Sequence, residues 1–180
     1  MNYCYYNSPI GPLLIAGDHD SIRHIRFAKK GKVEQPEPGW VESRTGPVAE
    51  AAAQLHEYFA GQRTEFDLPL TLDGTPFQRA VWHKLQEIPY GETISYGELA
   101  RRVGKPNASR AVGSANGANR IPIVIPCHRV IAAGGKLGGF GGGLPTKEAL
   151  LAHETKHTAK PLTSAAQGRS GGLVRKATTA

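Results

Sequence analysis

Apolar positions recur in short stretches over the first thirty residues, at 3–6, 13–16 and 22–27, and Ser8-Pro9-Ile10-Gly11-Pro12 punctuates the first two. Short periods of two bounded by Gly and Pro predict antiparallel strands. The pattern changes after Pro47. Residues 48–59 are rich in Ala and place Leu55, Tyr58 and Phe59 at helical spacing ahead of Gly61, which predicts one amphipathic helix. Residues 66–72 read as a further strand or an extended linker. Asp73-Gly74-Thr75-Pro76 predicts a boundary, with Thr75 capping a helix that has Pro76 at its first position.

Beyond Phe77 the period is mostly helical. Phe77, Val81, Trp82, Leu85 and Ile88 make one apolar face, stopped by Pro89 and Gly91. Residues 95–103 predict a second helix ending at Gly104-Lys105-Pro106, and a third is expected from Ala108 to about Asn116. Helix, tight turn and helix in close order suggest a helix-turn-helix. The third helix is built from small residues, Ala108, Ser109, Ala111, Gly113, Ser114, Ala115 and Gly117, with Arg110 as its long side chain. Small residues permit close approach, either to a neighbouring helix or to a DNA groove with Arg110 reaching between bases. The expected fold class is therefore α+β: a small N-terminal α/β lobe of antiparallel sheet plus helix over residues 1–75, then a mostly helical lobe over 76–158. Residues 159–180, dominated by Ser, Gly, Ala and Thr from Thr163, are expected to form a disordered basic tail.

Charge sharpens this division. The chain carries +7 overall, but residues 1–75 hold 7 Lys/Arg against 10 Asp/Glu, a net of −3, while residues 76–136 hold 9 against 3, a net of +6. An anionic partner is thus expected at the helical lobe. No apolar stretch approaches the roughly 20 residues that span a bilayer, and the N-terminus lacks a basic leader and apolar core, so no membrane partner and a cytoplasmic location are expected. The two cysteines, Cys4 and Cys127, read as free thiols. Cys4, His19, His24 and His56 have no ligand spacing, so no metal is expected.

The chemistry concentrates in residues 121–131, IPIVIPCHRVI, where Cys127, His128 and Arg129 interrupt apolar runs that predict buried strands or tight turns. Polar groups in such a segment cost free energy unless paired, which points to a site. Neighbours on a strand face opposite ways, so His128 would meet Cys127 directly only if the backbone turns there, and otherwise through a water. Glu154, expected at the end of a helix begun near Pro145, is a candidate to orient His128. The loop GGFGGG at 138–143 lacks the Gly-Lys-Ser/Thr ending of a triphosphate cradle and suits a flat ligand approaching the backbone.

Pro126-Cys127-His128-Arg129, preceded by Ile121-Pro122-Ile123-Val124-Ile125, resembles the active-site signature of the methylated-DNA–protein-cysteine methyltransferases. The likeness runs from about Thr75 to Glu154, through Tyr96 in ISYGELA, Arg110 in SRAVGSANGAN, Asn119, the Gly-rich loop and Lys147-Glu148. The N-terminal lobe matches in general form, which implies a ribonuclease H-like arrangement.

The resemblance implies transfer of an alkyl group, mainly from O6-alkylguanine and secondarily from O4-methylthymine, in double-stranded DNA to Cys127, once per molecule, by a monomer without a cofactor. His128 would act as a water-mediated base, with Glu154 bonded to it and Asn119 ordering the turn around the thiol. Tyr96, Arg110, Ala111, Ser114 and Asn116 would contact DNA and flip the base; Tyr96, Val130, Phe140, Gly141 and Gly142 would wall the pocket. Gly141 stands where many relatives carry Ser, Phe140 where some have Tyr, and Asn116 where others have Met. Two rivals stand beside this reading: a cysteine hydrolase using Cys127, His128 and Glu154, which would turn over, and a non-catalytic lesion-binding protein, whose relatives lack the cysteine.

Overall fold

The computed structural model describes residues 1–158, so the tail expected from residue 159 lies outside the described residues. Strands β1 (Asn2–Ser8), β2 (Gly11–Gly17) and β3 (Ile22–Phe27) form an antiparallel meander. A two-residue strand, β4 (Val41–Glu42), adds parallel to β1 and gives the order β3-β2-β1-β4. Both of its side chains are exposed, so no period announced it. In β2, Leu13 through Ala16 are all buried because both faces of this inner strand are covered, which is why they form a run where an alternation would suit a half-exposed strand.

Helix α1 (Gly46–Phe59) lies across the sheet with Val48, Ala51, Leu55 and Tyr58 inward, the stripe of a 3.6-residue period. Residues 66–72 are an extended connection and not a full strand. They touch β3 at one place, where Ile22 N–H donates to Pro69 C=O at 2.8 Å and Thr71 N–H to Ile22 C=O at 3.0 Å. The Gln54 amide grips both backbone groups of Asp67 at 2.9 Å, and Arg23 bridges Asp18 and Asp73 at 2.6 and 2.8 Å. The crossing to the helices is thus tied down along its length.

Thr75 caps α2 (Pro76–Leu85) with a reciprocal bond to Gln78, a capping box. After it come β5 (Ile94–Ser95), α3 (Tyr96–Arg102), α4 (Ser109–Gly117), β6 (Val130–Ile131) and α5 (Leu144–Thr158), with β5 and β6 paired in parallel. Ser95 caps α3. At its other end Gly104, with φ of +76°, lets Lys105 N–H donate back to Ala100 C=O and Gly104 N–H to Arg101 C=O. This double bond pattern stops α3 and aims the chain into α4.

The small residues of α4 admit Trp82, whose indole N–H donates 2.8 Å to Ala115 C=O. One hydrophobic core runs from the sheet through Tyr58, Trp82 and Leu99 to Ile125 and Leu150. At the far side of β3, Ile25 N–H donates 2.9 Å to Arg120 C=O and fastens the sheet beside the reactive segment. α5 continues to Thr158, so Glu154 sits inside it and does not end it.

Candidate active site

Residues 121–125 form a tight turn in which Ile125 N–H donates to Ile121 C=O at 2.9 Å. Ile123 takes φ of +73°, a left-handed conformation that a β-branched residue adopts only under constraint. The constraint is Asn119: its amide nitrogen donates 2.8 Å to Ile125 C=O and its amide oxygen accepts 3.0 Å from Ile121 N–H. Complete burial of Ile121, Ile123 and Ile125 holds the turn from the other side.

Pro126 then leads into a single 3₁₀ turn, Cys127–Arg129, so the backbone does turn at the Cys-His pair. Cys127 is 5% exposed, at the base of a cavity of about 1050 Å³. Burial pushes its thiol up to about 11, an effect the Asn119 amide and the Lys147 cation offset only in part. At neutral pH the group is therefore a thiol and needs a base to become a nucleophile.

The next residue, His128, is fully buried and its Nε2 lies 2.7 Å from Glu154 Oε1. Burial pushes the imidazole below its ordinary value, against the pull of Glu154, so it is neutral at pH 7. Burial would also raise the Glu154 carboxyl, but hydrogen bonds and charge from His128 and Arg129 win and hold it well below the usual carboxylate range. An ionised carboxylate only accepts, so Nε2 carries the imidazole proton and Nδ1 carries the free lone pair. Nδ1 is buried and has no hydrogen-bond partner among the described residues.

Glu154 has more to hold than His128. Its oxygens accept from Arg129 Nε and Nη2, both at 2.9 Å, from Tyr58 Oη at 2.8 Å and from Gly91 N–H at 3.2 Å. Arg129 completes its own set with Ile88 C=O at 2.7 Å. One buried carboxylate thus joins α1, the loop after α2, the 3₁₀ turn and α5. Lys147, also fully buried on α5, donates to Val130 C=O at 2.6 Å and to Leu137 C=O, placing a positive charge near the thiol and fixing the start of the glycine-rich loop.

Of the residues expected at the site, Cys127, Asn119, Tyr96, Arg110, Ser114, Asn116, Phe140 and Gly141 all open onto the one cavity. Tyr96 starts α3, half-buried between α4 and the loop: a Cβ at Gly138 would come 3.1 Å from its hydroxyl. Burial raises its phenol, keeping it a proton donor at neutral pH. Two expectations are corrected. Val130 is completely buried in β6 opposite Ile94 and does not line the cavity. Gly142 does not line it either, because the space a Cβ would need there is filled by Phe27, 2.8 Å away. Ala111 is exposed on α4, next to Arg110.

Arg129 and Tyr58 had no assigned role, and the wall supplied by β3, His24 to Phe27, was not foreseen. Lys147, Leu150 and Glu154 follow one another at helical spacing, so two charges on a buried stripe were the available signal. No such signal marked β3, whose contact with the site spans more than a hundred residues of sequence.

Two family models cover nearly all the described chain: the ribonuclease-like domain of 6-O-methylguanine DNA methyltransferase matches residues 1–72 and its DNA binding domain matches residues 76–156. A methylated-DNA–protein-cysteine methyltransferase of Methanosarcina acetivorans is 52% identical, the match covering 84% of this chain and 96% of that one. Its counterpart in Mycolicibacterium paratuberculosis is 51% identical, covering 91% and 98%. Among solved structures, the Mycobacterium tuberculosis O6-methylguanine methyltransferase superposes with a TM-score of 0.81 at 48% identity, covering 90% of this chain and 97% of that one. The same organism's OGT in complex with DNA gives 0.79 at 48% identity, covering 87% and 94%.

Proposed function

The chain belongs to the 6-O-methylguanine DNA methyltransferase family, and on that premise we propose that it repairs O6-alkylguanine in duplex DNA by moving the alkyl group to Cys127, once per molecule. The observation that carries the assignment to Cys127 is the buried thiol lining the cavity, followed in the same 3₁₀ turn by a neutral histidine that an ionised carboxylate backs. In this reading residues 76–158 hold both the reaction and the DNA contact, and residues 1–75 supply one cavity wall and Tyr58.

A base within the stack cannot reach a thiol at the bottom of a cavity, so the nucleotide must leave the helix, at a cost of a few kcal/mol. Arg110, on α4 at the cavity mouth, is suited to fill the gap it leaves. Its neighbours Ala111 and Ser114, on the same exposed surface, would lie against the groove, and Asn116 and Phe140 would meet the extruded base.

The Cys127 proton passes through one water to His128 Nδ1, leaving a thiolate. The thiolate attacks the alkyl carbon; the new S–C bond forms as the C–O6 bond breaks, and that electron pair returns to the guanine. Tyr96 donates a proton to the departing base and is reprotonated from solvent. A thioether has no comparable leaving path, which limits each molecule to one reaction. Both cysteines are free, the state that a reducing cytoplasm would maintain, and no helix among the described residues is long and apolar enough to cross a membrane.

Cys127→Ser tests the assignment. It should abolish transfer from an O6-methylguanine duplex while retaining binding of that duplex within a few-fold of the unaltered protein. Transfer that persists in Cys127→Ser would refute it.

A further inference from the structure

Phe27 ends β3 in the N-terminal lobe, paired with Leu13, yet its ring reaches across to the glycine-rich loop. Its centroid lies 5.6 Å from that of Phe140 with the planes tilted at 58°. A Cβ at Gly142 would fall 2.8 and 3.1 Å from two of its ring atoms, and 3.1 Å from Phe140. A side chain at residue 142 would collide with the Phe27 ring, so the loop can pack against that ring only because residue 142 is glycine. Phe27, Phe140 and Cys127 all open onto the same cavity.

We propose that Phe27 determines the size of the alkyl group that reaches Cys127, both as part of the cavity wall and by fixing Phe140 through the loop. The inference rests on the reaction proposed above. A methyl group needs little room beyond the base itself, whereas a benzyl group must be accommodated among the apolar walls. Gly139 and Gly141, with nothing within 4 Å of the Cβ position of either, offer no side chain to limit the space. The limit then falls on the aromatic pair. Phe140 sits on a loop of glycines, and Phe27 sits on a paired strand, so the strand residue is the fixed member. Aromatic contacts of this geometry favour one relative placement of the rings.

The test compares single-turnover transfer of methyl and benzyl groups from otherwise identical duplexes by the full-length protein and by Phe27→Ala, Phe27→Leu and Phe27→Trp. Both substrates share the nucleophile, the base and the departing guanine, so damage to folding or thiol activation lowers both rates together. The expected result is a benzyl-to-methyl ratio about tenfold higher in Phe27→Ala, raised less in Phe27→Leu, and lowered in Phe27→Trp. Melting midpoints identify the folded variants, and Leu serves if Ala does not fold. An unchanged ratio in the folded variants overturns the inference while leaving the reaction intact. Failure of the unaltered protein to transfer either group would overturn both.

Discussion

His128 Nε2 and Glu154 Oε1 lie 2.7 Å apart, and because the carboxylate is ionised this contact fixes the proton on Nε2 and the basic lone pair on Nδ1. The thiol it must serve is held up to about 11 by burial, and the imidazole is held below 6.5. These two directions give opposite pH profiles for two mechanisms. With His128 as base, the single-turnover rate should rise only as His128 loses its proton, below pH 6.5, and stay level from pH 7 to about 9. If pre-formed thiolate reacted without a base, the rate would climb about tenfold per pH unit over that same range. Rates measured with protein saturating over a labelled O6-methylguanine duplex separate the two.

Glu154 is expected to be as important for folding as for reaction. Glu154→Gln removes the only carboxylate among the described residues that pairs with the buried Arg129 guanidinium, and a buried charge left without its partner costs about 3–5 kcal/mol. For a chain of this size that corresponds to a melting midpoint lowered by roughly 10 °C. Adding Arg129→Met should restore part of the loss, since the stranded charge is gone. A Glu154→Gln protein within 1 kcal/mol of the original in urea denaturation would contradict the central place given to this carboxylate.

Arg110 should matter for duplex and not for chemistry. Arg110→Ala is expected to weaken repair of an O6-alkylguanine duplex roughly tenfold, the scale of one lost side-chain contact to the DNA, with much less effect on reaction with free O6-benzylguanine. Titrations at several salt concentrations would show a shallower dependence if Arg110 also neutralises a phosphate. Equal losses on duplex and free base would place Arg110 in the reaction or in folding.

The parts of this molecule that obey a local rule are legible in its sequence. Thr75 and Pro76 announced the start of α2, Gly104 the stop of α3, and Pro-Cys-His-Arg inside an apolar run marked the site. What stayed hidden depends on contacts distant in sequence. Gly142 read as room for a ligand, but the room belongs to Phe27, from a strand 115 residues earlier in numbering. Val130 stood next to the reactive turn, and pairing with Ile94 turned it inward. Glu154 looked like the close of a helix, whereas α5 runs on to Thr158 and Glu154 gathers donors from three other segments. Periodicity finds a buried face; it does not say what lies opposite.

The central claim is that Cys127 keeps the alkyl group. Peptide mapping by mass spectrometry after incubation with an equimolar O6-methylguanine duplex tests it most directly. The peptide containing Cys127 should gain the mass of one methylene, in proportion to guanine restored, with the peptide containing Cys4 unchanged. Methyl found on Cys4, or guanine restored in excess over protein with Cys127 unmodified, would contradict the account.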